Sequence, residues 1–184
     1  MEGGVVQAAR LGEEAMGEEA LPICEFDARS LQGKLQLTLA ADVGCITAAV
    51  EQMMTLVRQL DCAAGHEFEI ELALREALAN AIRHGSGNDP SKQVQCCVAC
   101  DPARGMLLVV RDEGPGFDPS ELQSPVLGQN VFSDHGRGIY LINQLMDEVH
   151  FEKGGTEIHM LKRPANGSGR ARKAASGPRP RRRA

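Results

Sequence analysis

Ala73-Leu74-Arg75-Glu76-Ala77-Leu78-Ala79-Asn80-Ala81-Ile82-Arg83-His84-Gly85 is the stretch on which the fold turns. Leu74, Ala77, Leu78 and Ala81 recur at helical spacing and, with Ile70, form the apolar stripe of a helix from about Glu67 to His84, ended by Gly85. Glu76 and Asn80 are four residues apart, so they lie one turn along and about 40° around the axis from each other. Both flank the stripe, and Arg83 extends the same edge. Taken alone, such a pair also suits a solvated helix edge with a weak intrahelical contact.

Reading toward the N-terminus, Leu35, Leu37 and Leu39 alternate with polar neighbours as a strand does. Asp42 or Thr47 then caps a helix whose stripe is Val50, Met53, Met54, Val57 and Leu60. Toward the C-terminus, Gln93 to Cys100 and Met106 to Arg111 read as two strands joined by the turn 101–105, apolar on both faces and hence central in a sheet. From Gly114 to His135 there is Gly and Pro punctuation without a period, which suggests a lid or binding loop. A third helix starts near Gly136, with Ile139, Ile142, Leu145 and Met146 inward. Val149 to Lys153 and Thr156 to Lys162 close the pattern as a hairpin around Gly154-Gly155. Three helices segregated from a mixed, mainly antiparallel sheet imply an α+β two-layer sandwich, with the helices on one face.

The chain has 184 residues and a net charge of −5, but the charge is unevenly placed. After Pro164 there are seven basic residues and no acid; the other 13 basic residues face all 25 acids, a balance of −12. An acidic body argues against nucleic acid as a partner of the domain, and one Tyr with no Trp argues against base stacking. We therefore expect a mostly flexible leader over 1–30 (with Leu21 to Phe26 as a candidate edge strand), a domain over 31–163 and a disordered basic tail over 164–184. No apolar run reaches membrane-spanning length and the N-terminus lacks a signal pattern, so the expected setting is cytoplasmic, with reduced thiols. Cys96, Cys97 and Cys100 fall in a strand with Cys96 and Cys100 on the Val94 and Val98 face; this pattern favours small buried hydrophobes over a zinc site.

Two further motifs carry chemistry. Asp112-Glu113-Gly114-Pro115-Gly116-Phe117 follows a strand directly, placing a carboxylate where it can accept from an exocyclic amine such as adenine N6, beside glycines that admit a ligand to the backbone. A capped turn would use the same residue types. Gly136-Arg137-Gly138 opens a helix, where free N–H groups and the positive dipole end suit a phosphate. It is neither a Walker loop nor a Rossmann fingerprint.

In this order and on these elements, Glu76-x-x-x-Asn80, Asp112-x-Gly114-x-Gly116 and Gly136-x-Gly138 resemble the three motif boxes of the Bergerat ATP-binding fold. Gly155-Thr156 resembles that fold's closing element, whose threonine supports the adenine-binding aspartate. Residues 73–85, together with Gly136-Arg137-Gly138-Ile139-Tyr140-Leu141-Ile142 and Leu145-Met146-Asp147-Glu148-Val149, resemble the bacterial anti-sigma-factor serine kinases, which are small free-standing domains of this fold. The resemblance implies ATP and Mg2+ as ligands, a serine/threonine-protein kinase activity, and a sigma factor and a STAS-type antagonist as partners, with a homodimer as the expected assembly. It implies Glu76 as general base, Asn80 as magnesium ligand and Asp112 as the adenine acceptor. Gly114, Gly116 and Phe117 would shape the adenine pocket, with Thr156 behind it. Gly136, Arg137 and Gly138 would hold phosphates, with Arg83 and His84 nearby. A binding module that uses ATP only to hold a partner would need the same pocket but no base at Glu76.

Overall fold

The computed structural model describes residues 31–118 and 134–164. The leader, the tail and most of the expected lid lie outside these described residues, as does the candidate strand at Leu21 to Phe26. Strands β1 (Gly33–Ala40), β2 (Gln93–Asp101), β3 (Gly105–Asp112), β4 (Glu148–Glu152) and β5 (Glu157–Lys162) form one sheet in the order β1-β2-β3-β5-β4. All four described pairings are antiparallel. β2 and β3 are interior strands, as their two apolar faces require. Helices α1 (Ile46–Gln59), α2 (Glu67–Asn80) and α3 (Asp134–Leu145) complete the α+β fold.

The core lies between sheet and helices. Val50, Met53, Met54 and Val57 of α1, with Ile70, Leu74 and Leu78 of α2, bury against Leu37, Val98, Leu108 and Met160. Each such side chain contributes about 1.5–3 kcal/mol when fully withdrawn from water. Cys97, Leu107 and Val109 make a smaller cluster on the opposite face, in keeping with the alternation read from the sequence. Asp42 does cap, but it caps a short 3-10 turn (Val43–Cys45) ahead of α1, accepting from the Gly44 N–H at 2.8 Å. Thr47 lies inside α1. At the far end of α3, the buried Lys162 ammonium donates to the Leu145 carbonyl at 2.7 Å, satisfying an end of the helix that has no internal partner.

One expectation needs correction. Cys62 and Cys100 are paired as a disulfide with Cα atoms 5.8 Å apart, so not every thiol is reduced. The side Cys100 presents was legible in β2; that the 3-10 turn Asp61–Ala63 would lie against it was not. Cys96 and Cys97 are buried in the sheet outside this disulfide, and desolvation pushes the Cys96 thiol up to about 12, as suits a small hydrophobe. Among the described residues no helix is long and apolar enough to cross a membrane.

Candidate functional site

The sequence ends α2 with residues that do not stop the helix cleanly. Ala81–Gly85 continues as a π turn, in which the Ser86 N–H reaches back to the Ala81 carbonyl at 2.8 Å. Such turns widen a helix and often accompany functional sites. Here the turn sets Gly85 against the end of β3: a Cβ at Gly85 would stand 2.2 Å from the Asp112 Cγ. No other residue type fits that approach.

Above this contact lies a cavity of about 370 Å³. Its apolar walls are Ala77 and Ala81 of the helix, Val110 and Ile158 of the sheet, and Ile139 and Phe151. Asn80, His84, Asp112, Asp118 and Thr156 supply the polar groups. An apolar slot with a few placed polar groups is the usual form of a small-molecule site. Phe117 stands edge-on to Phe151 with ring centroids 5.2 Å apart, extending the apolar wall.

Asp112 is a partly buried carboxylate in the slot. Burial pushes its carboxyl above the ordinary range, opposed by the Gly114 N–H, which donates to it at 2.7 Å, and by the charge of Lys92. Its own N–H donates to the Thr156 carbonyl at 3.0 Å. Thr156 thus supports the aspartate through its backbone carbonyl. The threonine hydroxyl instead donates to the Lys153 carbonyl at 3.0 Å, closing the 3-10 turn Lys153–Gly155. That turn meets the glycine motif directly. Gly116 has φ of 72°, its Cβ would fall 2.0 Å from the Gly154 carbonyl oxygen, and the neighbouring Phe117 N–H donates to that same oxygen at 2.9 Å.

A buried acid fixes this wall from the other side of the sheet. Glu157, paired in register with Arg111, binds its guanidinium, takes Lys153 Nζ at 3.5 Å, and contacts His159 Nε2 at 2.7 Å. Burial raises the Glu157 carboxyl, but the Arg111 and His159 hydrogen bonds outweigh it and hold the group below its usual range. Arg111 adjoins Asp112 and Glu157 adjoins Thr156, so the ion pair clamps both strands beside the cavity.

Beside the cavity, α2 and the first turns of α3 touch. A Cβ at Gly138 would stand 2.3 Å from Glu76 Oε1 and 3.0 Å from Asn80 Nδ2. The Asn80 amide nitrogen is buried without a hydrogen-bond partner among the described residues. An unsatisfied buried amide in a polar cleft is costly unless a ligand completes it. The amide end fits a magnesium-bound polyphosphate: its unpartnered N–H group can donate to a phosphate oxygen, and its oxygen suits a cation that prefers oxygen ligands and keeps several waters. Gly138→Ala should cost about 1 kcal/mol of stability, because a methyl there must displace Glu76 or Asn80. Urea unfolding of the variant measures this, and an unchanged midpoint would contradict the close approach.

The structure therefore brings Asn80, His84, Asp112, Gly116, Phe117 and Thr156 into one cavity, with Glu76, Gly114 and Gly138 against its polar members. Gly136 lies in the first turn of α3. Arg83 and Arg137 are exposed and outside the cavity lining. Sequence reasoning missed the roles of Gly85, Ile139 and Phe151, which were read as a terminator and as core. It also missed the Glu157 clamp, visible only once β3 and β5 are in register.

Comparison with known proteins agrees with this geometry. The profile of the histidine kinase-like ATPase domain matches residues 39–162. An anti-sigma F factor of Bacillus cytotoxicus is 33% identical over 115 residues, 60% of this chain and 78% of the relative. The anti-sigma F factors of Geobacillus stearothermophilus and Geobacillus kaustophilus are each 35% identical over 112 residues, 58% of this chain and 75% of theirs. The chain belongs to the histidine kinase-like ATPases, in their anti-sigma-factor family. It is an ATP-binding regulator of that type.

Proposed function

We propose that the chain is a serine kinase that phosphorylates a small STAS-type antagonist protein and, in an alternative complex, sequesters a sigma factor. The observation that carries the proposal is the meeting of the Glu76 carboxylate, the Asn80 amide and the backbone of Gly138 beside the Asp112 cavity. A module that only held ATP would need Asp112 and Asn80 but no carboxylate at that junction.

Each residue has a part. Asp112 accepts from adenine N6 while the aliphatic walls exclude water from the ring. Asn80 is the protein ligand for magnesium, which when bound neutralises phosphate charge. The N-terminal turn of α3, with Gly136, Arg137 and Gly138, offers N–H groups to the phosphates. Glu76 takes the proton of the incoming serine hydroxyl as its oxygen bonds to the terminal phosphorus and ADP leaves. Arg83 and His84 lie in the π turn that follows Asn80, His84 within the cavity lining. The names of the anti-sigma F relatives support the sigma-factor partner; a homodimer in the cytoplasm is part of the same reading. Incubation with labelled ATP, magnesium and STAS-type antagonists from the same genome tests it. The proposal expects label on an antagonist serine; ATP bound tightly without transfer to any antagonist would leave only the binding module.

A further inference from the structure

The outer face of the β4–β5 hairpin, opposite the helices, gathers a second group of side chains. His150 and His159 are directly opposed across the two strands, and Glu152 opposes Glu157 in the next pair on the same face. Glu148 flanks His150 on its other side, and Glu148, His150, Glu152 and His159 line a cavity of about 280 Å³. Donor atoms of Glu152, Glu157 and His159 all lie within 4.8 Å of one another. His159 Nε2 is 2.7 Å from Glu157 Oε1 and 3.7 Å from Glu152 Oε2.

We propose that this hairpin face binds a divalent transition-metal ion of the zinc type through His159, Glu152 and Glu157, with His150 as the fourth ligand. Three arguments converge. Zinc is held by imidazole nitrogen and carboxylate oxygen at about 2.0–2.2 Å, which places neighbouring ligands of a tetrahedron roughly 3.3 Å apart. The separations of His159 from the two carboxylates bracket that value. Glu157 needs only one oxygen for the ion, because Lys153 and the Arg111 guanidinium both engage its other oxygen, Oε2. Those cations hold the carboxylate from behind, as outer-shell partners hold metal ligands. His150, with a side chain 68% exposed and opposite His159, has room to turn toward the ion. A site here would bridge β4 and β5 beside the turn Lys153–Gly155, which forms part of the nucleotide-cavity wall. It does not depend on the kinase reading.

Calorimetric titration of the full chain with zinc alone, without nucleotide, tests the proposal. One ion per chain is expected, and His159→Ala should weaken binding by more than roughly 10–100-fold, the loss that changes to mere outer-shell partners cause. Glu152→Gln, at an exposed position that does not disturb packing, and His150→Ala should each weaken it as well, while the unaffected His66→Ala serves as control. Cobalt in place of zinc should give a d–d spectrum without sulfur charge transfer. Zinc binding unchanged in both His159→Ala and Glu152→Gln, no binding at all, or a thiolate charge-transfer band would each overturn the site.

Discussion

Glu76→Gln is expected to lower phosphoryl transfer by roughly 10²–10⁴-fold, the range for losing a general base, while ATP affinity stays close to that of the wild type. The substitution keeps the length and shape of a side chain that packs against Gly138, so the junction of α2 and α3 should survive. What disappears is the capacity to take the serine proton. Asn80→Ala should behave in the opposite way and damage nucleotide binding, because the phosphate-bound cation loses its protein ligand. Single-turnover transfer measured beside calorimetric affinity separates the two effects. Transfer near the wild-type rate in Glu76→Gln would remove the base assignment.

Asp112→Asn should weaken ATP binding by about 1–3 kcal/mol, the cost of disturbing a charged hydrogen bond in a poorly solvated slot. The unliganded protein should not lose stability in parallel. Burial disfavours the Asp112 anion, raising its carboxyl in the folded state. A raised carboxyl pKa means the folded chain binds protons more readily than the unfolded one. The resulting penalty is absent below the unfolded value and fully present once pH exceeds the folded one. Asn removes that penalty at neutral pH and still accepts from the Gly114 N–H. Urea midpoints at neutral pH should therefore be equal or higher in the variant while its ATP affinity falls. A loss of stability as large as the loss of affinity would mean that Asp112 is chiefly a structural residue.

Periodicity made much of this legible before any coordinates. The stripes Val50-Met53-Met54-Val57 and Ile70-Leu74-Ala77-Leu78 buried as read, and β2 and β3 became interior strands because both of their faces are apolar. The site motifs were legible for a different reason: glycine is tolerated everywhere but required in few places. Gly116 and Gly138 mark places where a side chain would strike the Gly154 carbonyl or Glu76. Contacts that depend on register were out of reach. Nothing in the local sequence of Glu157 announces Arg111, which is 46 positions away. Likewise Cys62 meets Cys100 across a separation of 38 residues, through packing that no periodicity encodes. The π turn was hidden too, since Ala81 to His84 continues the α-helical pattern and departs from it only where Gly85 meets Asp112.

Base discrimination by the wild-type chain tests the central claim most directly, because the proposed site rests on one carboxylate, Asp112, accepting from the exocyclic amine of the purine. Calorimetry with ATP and with GTP, each in magnesium, reads it without any substitution. Adenine presents an amine to Asp112, whereas guanine presents a carbonyl oxygen to the same anion, so the pairing is attractive in one case and repulsive in the other. The account predicts that ATP binds at least about tenfold tighter, a difference of roughly 1.4 kcal/mol. Equal affinity for the two nucleotides would contradict it.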